Sequence, residues 1–179
     1  QQPALIGSTA VDNALKLING ETIEKSIPVE VTLVTIDNVE TFAELEEATA
    51  VVGDGSIGLA VSTQNNPFFV TLVEGAQKAA DELGVTLVYD GPNQSEATNA
   101  KQVEILEGFI AAKVDAIVVS PCDAEGIVPT LKKAQEAGIV VTTFDADAPA
   151  EARAFYVNAA TAANIGKGLV DALAKTLEG

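Results

Sequence analysis

Histidine is missing from these 179 residues, which removes His-based triads, imidazole metal ligands and imidazole acid–base catalysis. The single cysteine, Cys122, can form neither an internal disulfide nor a cysteine-rich metal site. The single arginine, Arg153, leaves the chain without the usual bidentate clamp for carboxylates or phosphates. Bases are scarce as a class. There are 10 against 26 acids, for a net charge of −16, and none falls between residues 26 and 77. Such a surface repels phosphate backbones and anionic headgroups, so neither nucleic acid nor membrane is an expected partner. No apolar run is long enough to cross a bilayer. The opening QQPALIG lacks the basic and apolar regions of a signal peptide, as a secreted protein after cleavage also would. With so few catalytic groups, no enzyme activity, no cofactor and no metal site are expected.

What is present is order. From residue 57 onward, short apolar runs alternate with helical spacing. The run IGLAVS (57–62) leads into a helix over about 67–83, with Phe69, Val73, Ala76, Ala80 and Leu83 on one face. Asn65 or Asn66 suits its cap, Pro67 its first turn and Gly84 its end. VTLVYD (85–90) and a helix over about 96–112 follow. AIVVSP (116–121) comes next, then Asp123 capping a helix that stops at Gly138. IVVTTFD (139–145), AFYVN (154–158) and a helix near 162–177 complete the series. Apolar strands alternating with amphipathic helices indicate parallel βαβ units with both sheet faces covered. Right-handed crossovers then favour an α/β, three-layer, doubly wound sheet in flavodoxin-like 2-1-3-4-5 order.

The amino-terminal part reads differently. A helix over about 4–18 ends at Gly20, and VEVTLVTID (29–37) alternates in the manner of an edge strand wet on one face. The acidic stretch 38–56, closing in Gly-Asp-Gly-Ser, reads as a linker. The expected organisation is residues 1–37 completing a lobe, the linker, a main α/β lobe over 57–159, and a terminal helix over 160–179.

One stretch asks for more than packing. In STQNNPFF (62–69) a buried strand ends in polar residues and then two adjacent phenylalanines, in a chain only 4% aromatic. Adjacent helical side chains diverge by about 100°, so both rings cannot share one narrow stripe. Phe69 falls on the core spacing. Phe68 points toward whatever lies beyond the strand end.

IGLAVSTQNNPFFVTLVEGAQKAADELG resembles the amino-terminal stretch of periplasmic sugar-binding proteins of the ribose-binding type. AIVVSPCDAEGIVPTLKKAQEAGIVVTTFDA continues the likeness to about residue 168. Residues 1–39 resemble the same family's carboxy-terminal end: Gln-x-Pro, an Ala-rich helix closing in NGE, then IPVEVTLVTIDN. The resemblance implies one lobe of a two-lobed receptor, circularly permuted so that tail precedes head, most simply an engineered protein. It implies a non-enzymatic receptor for a pentose or hexose, whose intact parent serves a membrane permease of an ABC-type uptake system in the periplasm or outside the cell.

Carried over by position, the resemblance makes Ser62 and Asn66 hydrogen-bond partners of sugar hydroxyls and makes Phe68 and Phe69 walls for a sugar face. Asp145 becomes an acceptor for two hydroxyls, and Gln1 a polar group on the hinge side. Many members carry arginine directly after that aspartate, where this chain has Ala146. Each residue also has a plain structural reading: Phe69 as core, Asn66 as a helix cap, Asp145 as a solvated strand end, Cys122 as an inert thiol. One lobe alone supplies one wall, so millimolar or undetectable sugar affinity is expected. The helices over 4–18 and 162–177 compete for one groove, which suggests a homodimer by helix exchange. The alternatives are a flavodoxin-like protein, for which STQNNPFF is a poor phosphate cradle, and an effector-binding regulatory domain, which would need a basic DNA-binding segment.

Overall fold

The computed structural model describes residues 2–29, 55–93 and 97–158. Helix α1 (Pro3–Ile18) and strand β1 (Ser26–Pro28) come first. They are followed by β2 (Ser56–Ala60), α2 (Pro67–Leu83), β3 (Thr86–Asp90), α3 (Asn99–Ala112), β4 (Ala116–Val119), α4 (Val128–Glu136), β5 (Val140–Phe144) and β6 (Phe155–Asn158). The six strands form one sheet in the order β1-β6-β5-β4-β2-β3, and every pairing is parallel. Leaving out β1, this is the expected doubly wound order with its switch point between β2 and β4. Gln1, the linker up to residue 54, most of the stretch 29–37 and the helix near 162–177 lie outside the described residues, while Ser56, expected at the linker's end, opens β2.

The edge strand stands where it was expected, beside β6 and at the far end of the sheet from β3. Its described residues, Ser26–Pro28, begin three positions ahead of the stretch 29–37, of which residues 30–37 lie outside the described residues. Only Val29 extends the ladder within the described residues, its N–H donating to the Asn158 carbonyl at 2.9 Å. Pro28 explains why this earlier start is not legible in the alternation. Proline cannot donate to a ladder, so it reads as an interruption, but an edge strand tolerates it where the missing N–H would have faced outward.

The strands explain the two cores. In β4 all four residues, Ala-Ile-Val-Val, are buried, as a central parallel strand covered on both faces requires. Ala116 and Val118 face one cluster, together with Ile57 and Leu59 from β2, Val61 just past it and side chains of α1 and α2. Ile117 and Val119 face the other, with Leu106, Phe109, Ile127, Leu131 and Val141 under α3 and α4. The period of two in the strands thus sorts residues onto two layers. Fully burying a side chain such as Ile117 or Leu131 contributes about 1.5–3 kcal/mol.

Local signals set the helix ends. Asn66 caps α2, its Oδ1 accepting the Phe68 N–H at 2.9 Å, and Gly84 closes it with φ +72°. Thr98 caps α3. Asp123 caps the turn ahead of α4 rather than the helix itself: its Oδ1 accepts from the N–H groups of Glu125 and Gly126, and α4 begins at Val128.

Candidate functional site

The carboxyl ends of β2, β4 and β5 and the amino terminus of α2 meet at one edge of the sheet. In open parallel sheets this edge, at the switch point, is where ligands bind. It carries Ser62, Asn66, Phe68 and Asp145, all at least partly exposed, and Phe69 beneath them.

The paired phenylalanines divide as helical geometry demands. Phe69 is 4% exposed and belongs to the core, edge-on to Phe144 with ring centroids 6.4 Å apart. Phe68 is half-buried and meets Phe69 edge-on at 5.1 Å. One ring anchors and the other is presented, which leaves Phe69 to back the wall rather than form it. Asn66 is exposed. Capping occupies its Oδ1 and leaves its amide N–H groups to donate outward.

Asp145 sits just past β5 with φ +58°, a left-handed backbone that costs energy in a residue with a side chain. Two contacts hold it there. Its N–H donates to the Val157 carbonyl at 3.2 Å, and its own carbonyl accepts the Tyr156 hydroxyl at 2.7 Å. No hydrogen bond or ion pair reaches its carboxylate among the described residues, and burial pushes its pKa above the usual carboxylate range.

The one arginine is committed elsewhere, and the expectation from composition needs correcting. Arg153 does form a bidentate clamp, on Asp147. Nε donates to Oδ1 at 2.6 Å and Nη2 to Oδ2 at 2.7 Å. Asp147 Oδ1 also accepts the Thr143 hydroxyl at 2.6 Å and the Ala148 N–H at 2.8 Å. Arg153 Nη1 donates to the Lys25 carbonyl at 3.0 Å, and the guanidinium lies over the Tyr156 ring at 5.5 Å from its centroid. The network therefore joins β1 to the tyrosine that holds Asp145. The burial of the Tyr156 hydroxyl, and then the charges of Asp147 and Asp145, raise its pKa. Asp147, Arg153 and Tyr156 were not singled out as site residues. The signal was present in the sequence as one arginine in an acidic protein six residues after an aspartate.

Ser62 follows β2, and its carbonyl accepts the Cys122 thiol at 3.6 Å. Cys122 is half-buried, with its pKa raised by burial, so the thiol persists as a weak donor. Gln102, in the first turns of α3, is wholly buried between β2 and β4 at this same edge. At the opposite end of the sheet a cavity of about 680 Å³ is lined by Leu17, Ile18, Ile110, Lys113, Asp115 and Ile139. It lies at the amino ends of the strands, has a mixed polar and apolar lining, and is remote from Phe68 and Asn66. Among the described residues no group of three His, Cys, Asp or Glu is placed to hold a metal ion, and no helix is long and apolar enough to cross a membrane.

The chain is similar to known proteins in sequence and in fold. Residues 57–179 match the family described as periplasmic binding protein domain. The chain is 38% identical over 94 residues to the ribose import binding protein of Bacillus subtilis, covering 52% of this chain and 30% of that protein. It is 34% identical over 116 residues to the ribose import binding protein of Escherichia coli, covering 65% of this chain and 38% of that one. A sugar ABC transporter structure from Actinomyces odontolyticus superimposes with TM-score 0.68 at 27% identity, over 74% of this chain and 42% of that one. An ABC transporter solute binding protein from Clostridium phytofermentas with bound L-rhamnose gives TM-score 0.64 at 26% identity, over 68% and 37%. These relatives are sugar-binding transport proteins rather than enzymes, and the chain spans between 30% and 42% of their length. A parallel sheet in this order, with Ser62, Asn66, Phe68 and Asp145 at its carboxyl edge and a family match over more than half the chain, places the protein in the periplasmic binding protein domain family, of the ribose type.

Proposed function

We propose that this chain forms one sugar-facing wall of an ABC-type uptake receptor, with its amino-terminal segment standing where the family's carboxy-terminal segment belongs. The observation that carries the order is the pairing of β1 beside β6, with α1 packed on α2, by a segment that resembles the family's tail yet comes first in the chain. Ser62 and the free amide N–H groups of Asn66 bond sugar hydroxyls, Phe68 lies against a C–H-rich sugar face, and the Asp145 carboxylate accepts from two hydroxyls. A charge-assisted bond of that kind contributes about 1.5–3 kcal/mol. Gln1, outside the described residues, adds a polar group from the hinge side.

A single wall cannot bury most of a ligand's surface, so the wall alone binds in the range of about 1 mM or weaker. Titrating the isotope-labelled protein with ribose and following backbone shifts tests this. Shifts confined to Ser62, Asn66, Phe68 and Asp145 at millimolar sugar are expected. Shifts elsewhere would remove the site assignment, and a micromolar complex in the monomer would remove the single-wall reading. Light scattering on the same sample tests helix exchange: a dimer is expected, and a strict monomer ends that part.

A further inference from the structure

The crevice between β2 and β4 is the switch point of this sheet, where two neighbouring strand ends lead into helices on opposite faces. It is the gap that open α/β sheets leave for a ligand. Here one side chain of the protein fills it. Gln102 reaches in from α3 and is 0% exposed. Its Nε2 donates to the Ser120 carbonyl at 2.8 Å and the Val61 carbonyl at 3.3 Å. Its Oε1 accepts the Cys122 N–H at 2.8 Å. The partners are Val61, the residue before Ser62, and two residues of the loop after β4, Ser120 and Cys122. A second, weaker tie runs beside the first, from the Cys122 thiol to the Ser62 carbonyl at 3.6 Å.

We propose that Gln102 is the positioning residue of the sugar-facing edge: its amide ties the end of β2 to the loop after β4, and so sets where Ser62 and Cys122 stand. The sugar-facing part of that statement rests on the function proposed above; the tie itself does not. Only an amide meets the need. The crevice offers two carbonyls that need donors and one N–H that needs an acceptor, and glutamine has both on one rigid group. Glutamate would bring an acceptor without the donors, and methionine would leave all three backbone groups buried and unpaired. Asparagine, one methylene shorter, would not span the crevice from the same helix position.

The experiment first uses the protein unaltered. In proton–nitrogen spectra one glutamine side-chain amide, assigned to Gln102, is expected to persist after transfer to heavy water, because its protons are buried and bonded. Rapid exchange of every glutamine side chain would overturn the proposal. The second readout is the native alkylation rate of Cys122 by iodoacetamide. Gln102→Met and Gln102→Glu are expected to raise it by about tenfold or more through local opening of the loop. Leu131→Ala, which destabilises the same face without touching the crevice, serves as the reference. An equal rise in Leu131→Ala at matched thermal stability would show a merely structural role and overturn the positioning one. If the Gln102 variants fail to fold, the exchange measurement on the parent protein still decides.

The third readout is the ribose titration. Loss of the Ser62 shift in Gln102→Met, with the Asp145 shift retained, supports the proposal. Shifts identical to the parent's would overturn it. No shift with either protein would remove the sugar-binding reading while the exchange and alkylation results still decide the tie.

Discussion

The two faces of the sheet are closed by different means. On one face α1 and α2 cross so closely that backbone meets backbone. A Cβ added at Gly7 would lie 2.2 Å from the Leu72 carbonyl oxygen, and one at Gly75 would lie 2.2 Å from that of Ala4. On the other face α3 and α4 pack through side chains: Phe109 covers Gly58, where an added Cβ would meet its ring at 2.7 Å. The first face joins segments remote in the chain and depends on having no side chain at two positions. The second joins consecutive βαβ units and depends on filling space. A backbone contact cannot yield when a methyl group intrudes, whereas a ring can turn.

The largest effect should therefore come from Gly75→Ala, which forces the two helices apart and costs about 3 kcal/mol or more by urea denaturation, since overpacking against rigid backbone is the expensive kind. Gly58→Ala should cost less, about 1–3 kcal/mol, as Phe109 rearranges. Equal losses would show that the two faces do not differ in the way described. Gly108, mid-helix in α3 with nothing within 4 Å, supplies the opposite sign. Gly108→Ala should gain about 0.5–1 kcal/mol in helix propensity.

Arg153→Ala stands beside Gly58→Ala in size. It strips the bidentate partner from Asp147 and one of two donors from the Lys25 carbonyl, which also accepts the Tyr156 N–H. Removing one member of a largely buried pair costs up to about 3 kcal/mol. Hydrogen exchange should locate the damage: protection at Ile27 and Val29 is expected to fall more than at Val118. Uniform loss of protection would mean that the clasp does not act on the edge strand.

The smallest effect is at Asp145, and its sign depends on pH. Burial raises its pKa in the folded protein, so the folded state holds the proton more tightly than the unfolded chain does. Ionised Asp145 therefore costs stability, a cost that sets in as pH rises from the usual carboxylate pKa through the raised one and stays above it. Asp145→Asn should raise Tm modestly at neutral pH and lose that advantage in acid, below the unfolded value. A Tm lowered by the same change at pH 7 would mean that the carboxylate has a stabilising partner. Asp115 runs the other way. The N–H and hydroxyl of Ser56 lower its pKa, but it is largely exposed and contributes little.

Much of this architecture could be read from residues. Ile57, Leu59 and Val61 alternate onto one face, and Gly84 and Gly138 take the left-handed φ that ends a helix. Asn66 capped where expected, because its bond is to an N–H two residues away. Pro28 hid the start of the edge strand for the reason that makes the others legible: a local rule against proline in strands does not know that a strand is at an edge. Asp147, Arg153, Tyr156 and Gln102 were passed over because each gains its meaning from partners on other elements. Gln102 looked like one more polar residue early in a helix. Its three partners lie 18 to 41 residues away.

The sequence by itself determined the element types, the parallel order of the sheet and the family likeness. All three rest on periodicity, caps and short motifs, which act over a few residues. Only the tertiary structure decided that the one arginine serves Asp147 and lies over the Tyr156 ring, and that Gln102 closes the switch-point crevice. Those outcomes depend on which carbonyl or ring arrives from a distant strand, and in a doubly wound sheet the crossovers bring such groups together from opposite faces.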